Sequence, residues 1–180
     1  MDFLSVNGFM LTMWAIMNQE EHALTLFAPD CGSWGLPARS TSGRSFINPQ
    51  GYEAYGFVHR ANVMVSRMVL CIMLILSRNA FYLVEQPAQS LLYMHKRRQY
   101  LANRVSWVFQ VYFWMALHGG RSPKRSMFMG NMSSLGGLDK GKLTKAERVK
   151  RTKISTARKY TDSSGKSRFV GNKKELKASQ

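Results

Sequence analysis

With 180 residues, 45% of them hydrophobic, the chain has material for one folded domain and a tail. Its 26 Lys and Arg against 10 Asp and Glu give +16; residues 121–180 carry 17 of those bases and 4 of those acids, a +13 share that leaves +3 for residues 1–120. Such a tail suits polyanionic partners, while two cysteines, Cys31 and Cys71, exclude a disulfide framework and suit a reducing, intracellular compartment.

Phe9, Met10, Met13, Trp14 and Met17 recur at helical spacing and predict a helix over 9–22. The start Met1-Asp2 lacks the basic flank of a secretory signal, and no small-x-small cleavage site follows residues 9–17, so secretion is not expected. Ala23–Ala28 is apolar and stopped by Pro29, which predicts a short buried strand. Gly32, Gly35, Pro37, Ser40, Ser42, Gly43, Pro49 and Gly51 make the next stretch loop chemistry. Over 58–77, Ala61, Met64, Val65, Met68, Val69, Ile72 and Leu76 form the stripe of a helix. Arg67 and Arg78 bound only ten uncharged residues there, against the roughly 20 that a spanning helix needs, so a core helix is expected. Membrane association through 58–76, with the tail on anionic lipid, is the weaker alternative.

Ala80–Val84 predicts a strand ending at Glu85, and Ser90–Arg104 a helix with Leu91, Leu92, Met94, Tyr100 and Leu101 on its apolar side. Trp107–Leu117, dense in aromatic and β-branched residues, predicts a strand whose rings belong to the core rather than to a base-stacking platform. His118–Pro123 is a turn, and Ser126–Gly130 a short partner strand. This order predicts an α/β fold with a mostly parallel sheet and one antiparallel edge hairpin. The domain reads as 1–130, a Gly/Ser linker as 131–141, and 142–180 as a basic, largely disordered tail in which Lys142–Arg158 is transiently helical.

Three segments follow one another at apolar run ends: Pro29-Asp30-Cys31, Glu85-Gln86-Pro87, and Gly120 through Gly130. Their order resembles the nucleophile loop, the glutamate segment and the later arginine-bearing stretch of the cytosine-C5 DNA methyltransferases. The resemblance implies an incomplete Rossmann-like sheet. It also implies a Cys31 thiolate adding to C6 of a cytosine, Glu85 holding the N3 edge, and Arg125 or Arg121 supplying positive charge. Pro29 and Asp30 would lie beside S-adenosylmethionine, and the base would be extruded from its stack. The chain departs from the family at Asp30, which replaces a proline, and at Gln86-Pro87, which replace Asn-Val. The family's Gly-rich cofactor turn has no counterpart, Gly8 being the only glycine before Gly32, so activity without help is not expected.

Arg39, Ser42 and Arg44 are candidate phosphate clamps on the loop after Cys31, with Lys124 and the tail residues Lys150, Arg151, Lys153, Arg158 and Lys159 as further nucleic-acid contacts. The basic runs also resemble nuclear-import patches, so a nuclear location is expected. A non-catalytic DNA- or RNA-binding protein acting through its tail is the main alternative. No metal is expected, since His118 lacks partners at ligand spacing.

Overall fold

The computed structural model describes residues 2–105, 107–120, 123–152, 157–165 and 167–171. The chain divides into two compact units, Met1–Val111 with Met127–Gly137, and Tyr112–Ser126 with Leu138–Gln180.

In the first unit, Ser5 caps helix α1 (Val6–Met17) by accepting from the Gly8 amide at 2.9 Å. The cap starts the helix earlier than its apolar spacing suggests. Asn18 stops it, its side chain donating to the Trp14 carbonyl at 2.8 Å. Strand β1 (Leu24–Phe27) follows, then the single turn α2 (Arg39–Ser42), which ends at Gly43 with φ +65°. A Cβ at Gly43 would lie 2.3 Å from the Tyr52 ring, so both the backbone angle and the close approach require glycine.

Helix α3 (Gly56–Ser77) packs on α1 and on the strand it leads into. Val58, Ala61, Val65, Met68, Val69, Cys71, Ile72 and Ile75 are buried, each larger side chain contributing roughly 2 kcal/mol of apolar burial. By length and composition α3 is also apolar enough to cross a membrane. That buried stripe is what a core helix requires.

Strand β2 (Phe81–Pro87) runs two residues past its predicted end. The segment predicted as one helix over Ser90–Arg104 is instead a tight turn, Leu91–Met94, followed by helix α4 (Lys96–Arg104). Two caps break it. Ser90 Oγ accepts from the Leu92 amide, and His95, extended at ψ 131°, accepts on Nδ1 from the Arg97 amide. Strand β3 (Phe109–Trp114) is shorter than the predicted 107–117, because Met115–His118 winds into a tight turn ending at Gly119. Strand β4 (Arg125–Gly130) completes a four-stranded sheet in the order β1-β2-β4-β3.

The β1–β2 pair is parallel, from Leu24↔Phe81 to Phe27↔Val84, with α3 in the crossover. At β4 the carboxyl end meets the amino end of β2. A Cβ at Gly130 would strike the Tyr82 carbonyl, and the Asn131 side chain accepts from the Tyr82 amide and donates to the Ala80 carbonyl, both at 2.9 Å. The fold is therefore α/β with a mixed sheet, and the expectation of a mostly parallel sheet is met by one pair only. Tyr82, Val84 and Met129 line a small cavity with Met68, Ile72 and Leu101, so α3 and α4 cover that face. By pleat alternation Leu24 and Leu26 of the outermost strand β1 point the other way, 49% and 58% exposed.

In the second unit, the Met115 amide donates to the Lys124 carbonyl at 2.9 Å and closes the base of the β3–β4 turn. Helix α5 (Lys145–Thr152) begins with a capping box: Thr144 Oγ1 accepts from the Glu147 amide, and the Glu147 carboxylate accepts from the Thr144 amide at 3.0 Å. Strands β5 (Ala157–Thr161) and β6 (Ser167–Gly171) pair antiparallel. Their turn is set by Asp162, whose carboxylate accepts from the Ser164 amide, and by Gly165 at φ +76°. Within 142–180 the described residues include α5, inside the stretch expected to be helical, and the β5–β6 hairpin.

Candidate functional site

The register Phe27↔Val84 places the Pro29-Asp30-Cys31 loop past the carboxyl end of β1, while Glu85 lies within the parallel neighbour β2, two residues before its end at Pro87. Such strands stand about 4.8 Å apart, so both segments issue from one edge of one sheet. The loop is tightly turned. The Asp30 carboxylate accepts from the Gly32 amide at 2.9 Å, and the Cys31 carbonyl accepts from the amides of Trp34 and Gly35 at 3.0 and 3.1 Å. Cys31 is half-buried, whereas burial pushes the Cys71 thiol up to about 11 and makes it inert. Glu85 is half-buried, and strand alternation turns it to the sheet face opposite Gln86.

Gln86 ties the two strand ends together. It is fully buried; its Nε2 donates to the Pro29 carbonyl at 2.7 Å, and its Oε1 accepts from Ser90 Oγ at 2.8 Å. Gln86 therefore fixes the Pro29 end of the Cys31 loop against β2. It also reaches the Ser90 cap of the following turn.

Behind the loop lies a buried polar hub. Arg44 is 2% exposed, with its guanidinium 3.4 Å over the Trp34 ring. Its Nη1 donates to the Pro49 and Gln50 carbonyls at 2.7 and 3.2 Å, and its Nη2 to Ser33 Oγ and the Val58 carbonyl at 3.2 and 3.3 Å. Desolvation lowers its pKa to about 10, with Glu53 opposing the shift. Trp34 also meets the His95 ring edge-on at 5.7 Å. His95 is pushed down to about 4, first by desolvation and then by the charges of Arg44 and Arg97, against an upward pull from Glu53. It is neutral at pH 7. Its Nδ1 accepts from the Arg97 amide at 3.3 Å, and Gln50 Nε2 lies 3.3 Å from its Nε2.

The predicted phosphate clamps are placed differently from one another. Arg44 and Ser42 are buried, and Ser42 Oγ accepts from the Arg44 amide, so these two hold the loop from inside rather than facing a ligand. Arg39 is half-buried, donates to the Gln89 carbonyl at 3.4 Å and stands over the Phe46 ring. Arg125 is exposed in the second unit, over the rings of Tyr112 and Trp114. Lys124 is half-buried there. Lys150 and Arg151 belong to α5, Arg158 and Lys159 to β5, and Lys153 and Arg121 lie outside the described residues.

Sequence reasoning missed Trp34, Ser90 and His95, and read Gln86 only as a departure within Glu85-Gln86-Pro87. A tryptophan between Ser33 and Gly35 in an otherwise polar loop was the available signal for the first; nothing local marked the others.

At the carboxyl end of β1 a cleft of ≈ 310 Å³ is lined by Thr25, Phe27, Ala28 and Pro29 together with Thr12 and Met64. Its polar side chains are two threonines, with no carboxylate for ribose hydroxyls and no glycine turn for a close approach. S-Adenosylmethionine does not fit this donor set, and Asp30 spends its carboxylate on its own loop. Among the described residues no group of three His, Cys, Asp or Glu could hold a metal ion. No family model, curated protein or solved structure matches the chain.

Proposed function

We propose that the first unit is a nucleic-acid-associated relative of the cytosine-C5 methyltransferase core that does not transfer a methyl group on its own. The observation that carries this reading is the parallel pair itself: a cysteine loop follows the carboxyl end of β1 and a glutamate lies two residues before the carboxyl end of β2, the edge on which α/β sheets open onto their ligands. In this reading the sheet is an incomplete Rossmann-like one. Glu85 meets the polar edge of an extruded pyrimidine, and Cys31 lines the same recess. The missing glycine turn and the apolar cleft support the lack of independent activity. The +13 carried by residues 121–180 supports a nucleic-acid partner and, with the run Lys150-Arg151-Thr152-Lys153, a nuclear location.

The test uses the full chain with labelled S-adenosylmethionine and with single- and double-stranded oligonucleotides. The expected result is salt-sensitive nucleic-acid binding, no cofactor binding by dialysis, and no transferred label. Label transfer abolished by Cys31→Ser would overturn the claim of inactivity. Absence of nucleic-acid binding at low salt would overturn the association.

A further inference from the structure

We propose that the second unit carries a stacking site for single-stranded nucleic acid, built from Tyr112, Trp114, Arg125 and Arg148. The site is separate from the strand-end loop and does not depend on the methyltransferase reading. Tyr112 and Trp114 stand two residues apart on β3 and so share one face, both half-exposed. The Arg125 guanidinium lies 5.1 Å from the Tyr112 centroid and 5.8 Å from that of Trp114. Arg148, from the first turns of α5, reaches the same Trp114 ring at 5.2 Å. Rings and guanidinium planes thus alternate across three elements, β3, β4 and α5.

This arrangement has the two properties that sequence-tolerant strand binding requires. Flat π surfaces accept a base whatever its identity, and each such stack typically contributes a several-fold gain in affinity. Arginines already seated on rings lose little further freedom when they meet phosphate. Both arginines are exposed, in the segment that holds +13 of the net charge. Lys145, on the same side of α5 as Arg148, and Val149 are exposed too. A single strand is favoured over a duplex because only unstacked bases present a free face to a ring.

The experiment measures binding of the full chain to a labelled oligo-dT and to a duplex of equal length, by fluorescence anisotropy across a salt series. The single strand should bind more tightly. Trp114→Leu should weaken it by roughly 5- to 150-fold at constant salt slope. Arg125→Gln with Arg148→Gln should reduce the slope of log K against log salt by about 1.4. Arg125→Lys, which keeps the charge and discards the plane, should weaken binding with the slope unchanged. Should Trp114→Leu lose its circular-dichroism signature, Tyr112→Leu and Arg125→Lys carry the comparison. Equal or tighter duplex binding, or stacking variants that bind as the wild type does, would overturn the site. Either result leaves the Cys31–Glu85 reading where it stands, since all four residues belong to the other unit.

Discussion

Replacing Arg44 separates a loop that clamps phosphate from a loop that is held from within. In Arg44→Met the stem keeps its volume, but four acceptors lose a charged donor: the carbonyls of Pro49, Gln50 and Val58, and Ser33 Oγ. At about 1 to 1.5 kcal/mol each, the loss is on the order of 4–6 kcal/mol. Trp34 also loses its cation at 3.4 Å. Removing the guanidinium relieves its own desolvation, the cause of the pKa near 10, which offsets part of that sum. A net destabilisation of about 3–4 kcal/mol remains, a large share of the 5–15 kcal/mol that holds an ordinary domain. With an m-value of about 2 kcal/mol per molar, the urea midpoint should fall by roughly 1.5–2 M, read by tryptophan fluorescence and circular dichroism. Arg44→Lys should not restore it, because one ammonium cannot span four acceptors held by a planar fork. Oligonucleotide affinity, measured where both proteins are folded, should not change. An unchanged midpoint with weakened oligonucleotide binding would refute the buried-hub argument and return Arg44 to the ligand.

Gln86→Ala should lower stability by about 2–3 kcal/mol through two lost buried hydrogen bonds and should speed labelling of Cys31 by a thiol reagent, because the Pro29 carbonyl is released; identical labelling rates would count against the tie. In the native wild type one thiol per chain should react at pH 8, with Cys71 reacting only after denaturation, and Cys31→Ser should abolish the native reaction. For His95 the folded pKa of about 4 lies below the ordinary 6.5, so between those values the unfolded chain binds the extra proton. Stability is fully present above pH 6.5 and lost as the pH falls toward 4, by up to about 3 kcal/mol. His95→Asn should remove that part of the pH dependence of the urea midpoint; a profile parallel to the wild type would show that another group is responsible.

The elements legible in the sequence were those written in a single period. The stripe from Ala61 to Leu76 marks α3, and the apolar runs stopped at Pro29 and Glu85 mark the strands that pair in parallel. The stop at Pro29 placed Cys31 beyond β1, whereas β2 continues through Glu85 to Pro87. The break at His95 was hidden because Leu91, Leu92, Tyr100 and Leu101 keep helical spacing across it, while the deciding hydrogen bonds come from Ser90 and His95 side chains. Arg44 and Ser42 misled for another reason. A polar loop composition looks the same whether its side chains turn outward or are drawn under Trp34. In the basic stretch, net charge masked two short signals, Thr144-Lys145-Ala146-Glu147 for a helix start and Asp162-Ser163-Ser164-Gly165 for a turn.

Strand β1 ends the sheet, and its four residues, Leu-Thr-Leu-Phe, contain neither a charge nor a proline. Natural sheets commonly guard such a border with lysine, proline or a bulge, since unspent amides and carbonyls otherwise serve as a template for another extended peptide. Among the described residues no strand pairs with the outer side of β1, and Leu24 and Leu26 on it are exposed. Protein concentration thus becomes a variable in every measurement on this molecule: dilution protects the single copy, and crowding brings borders together.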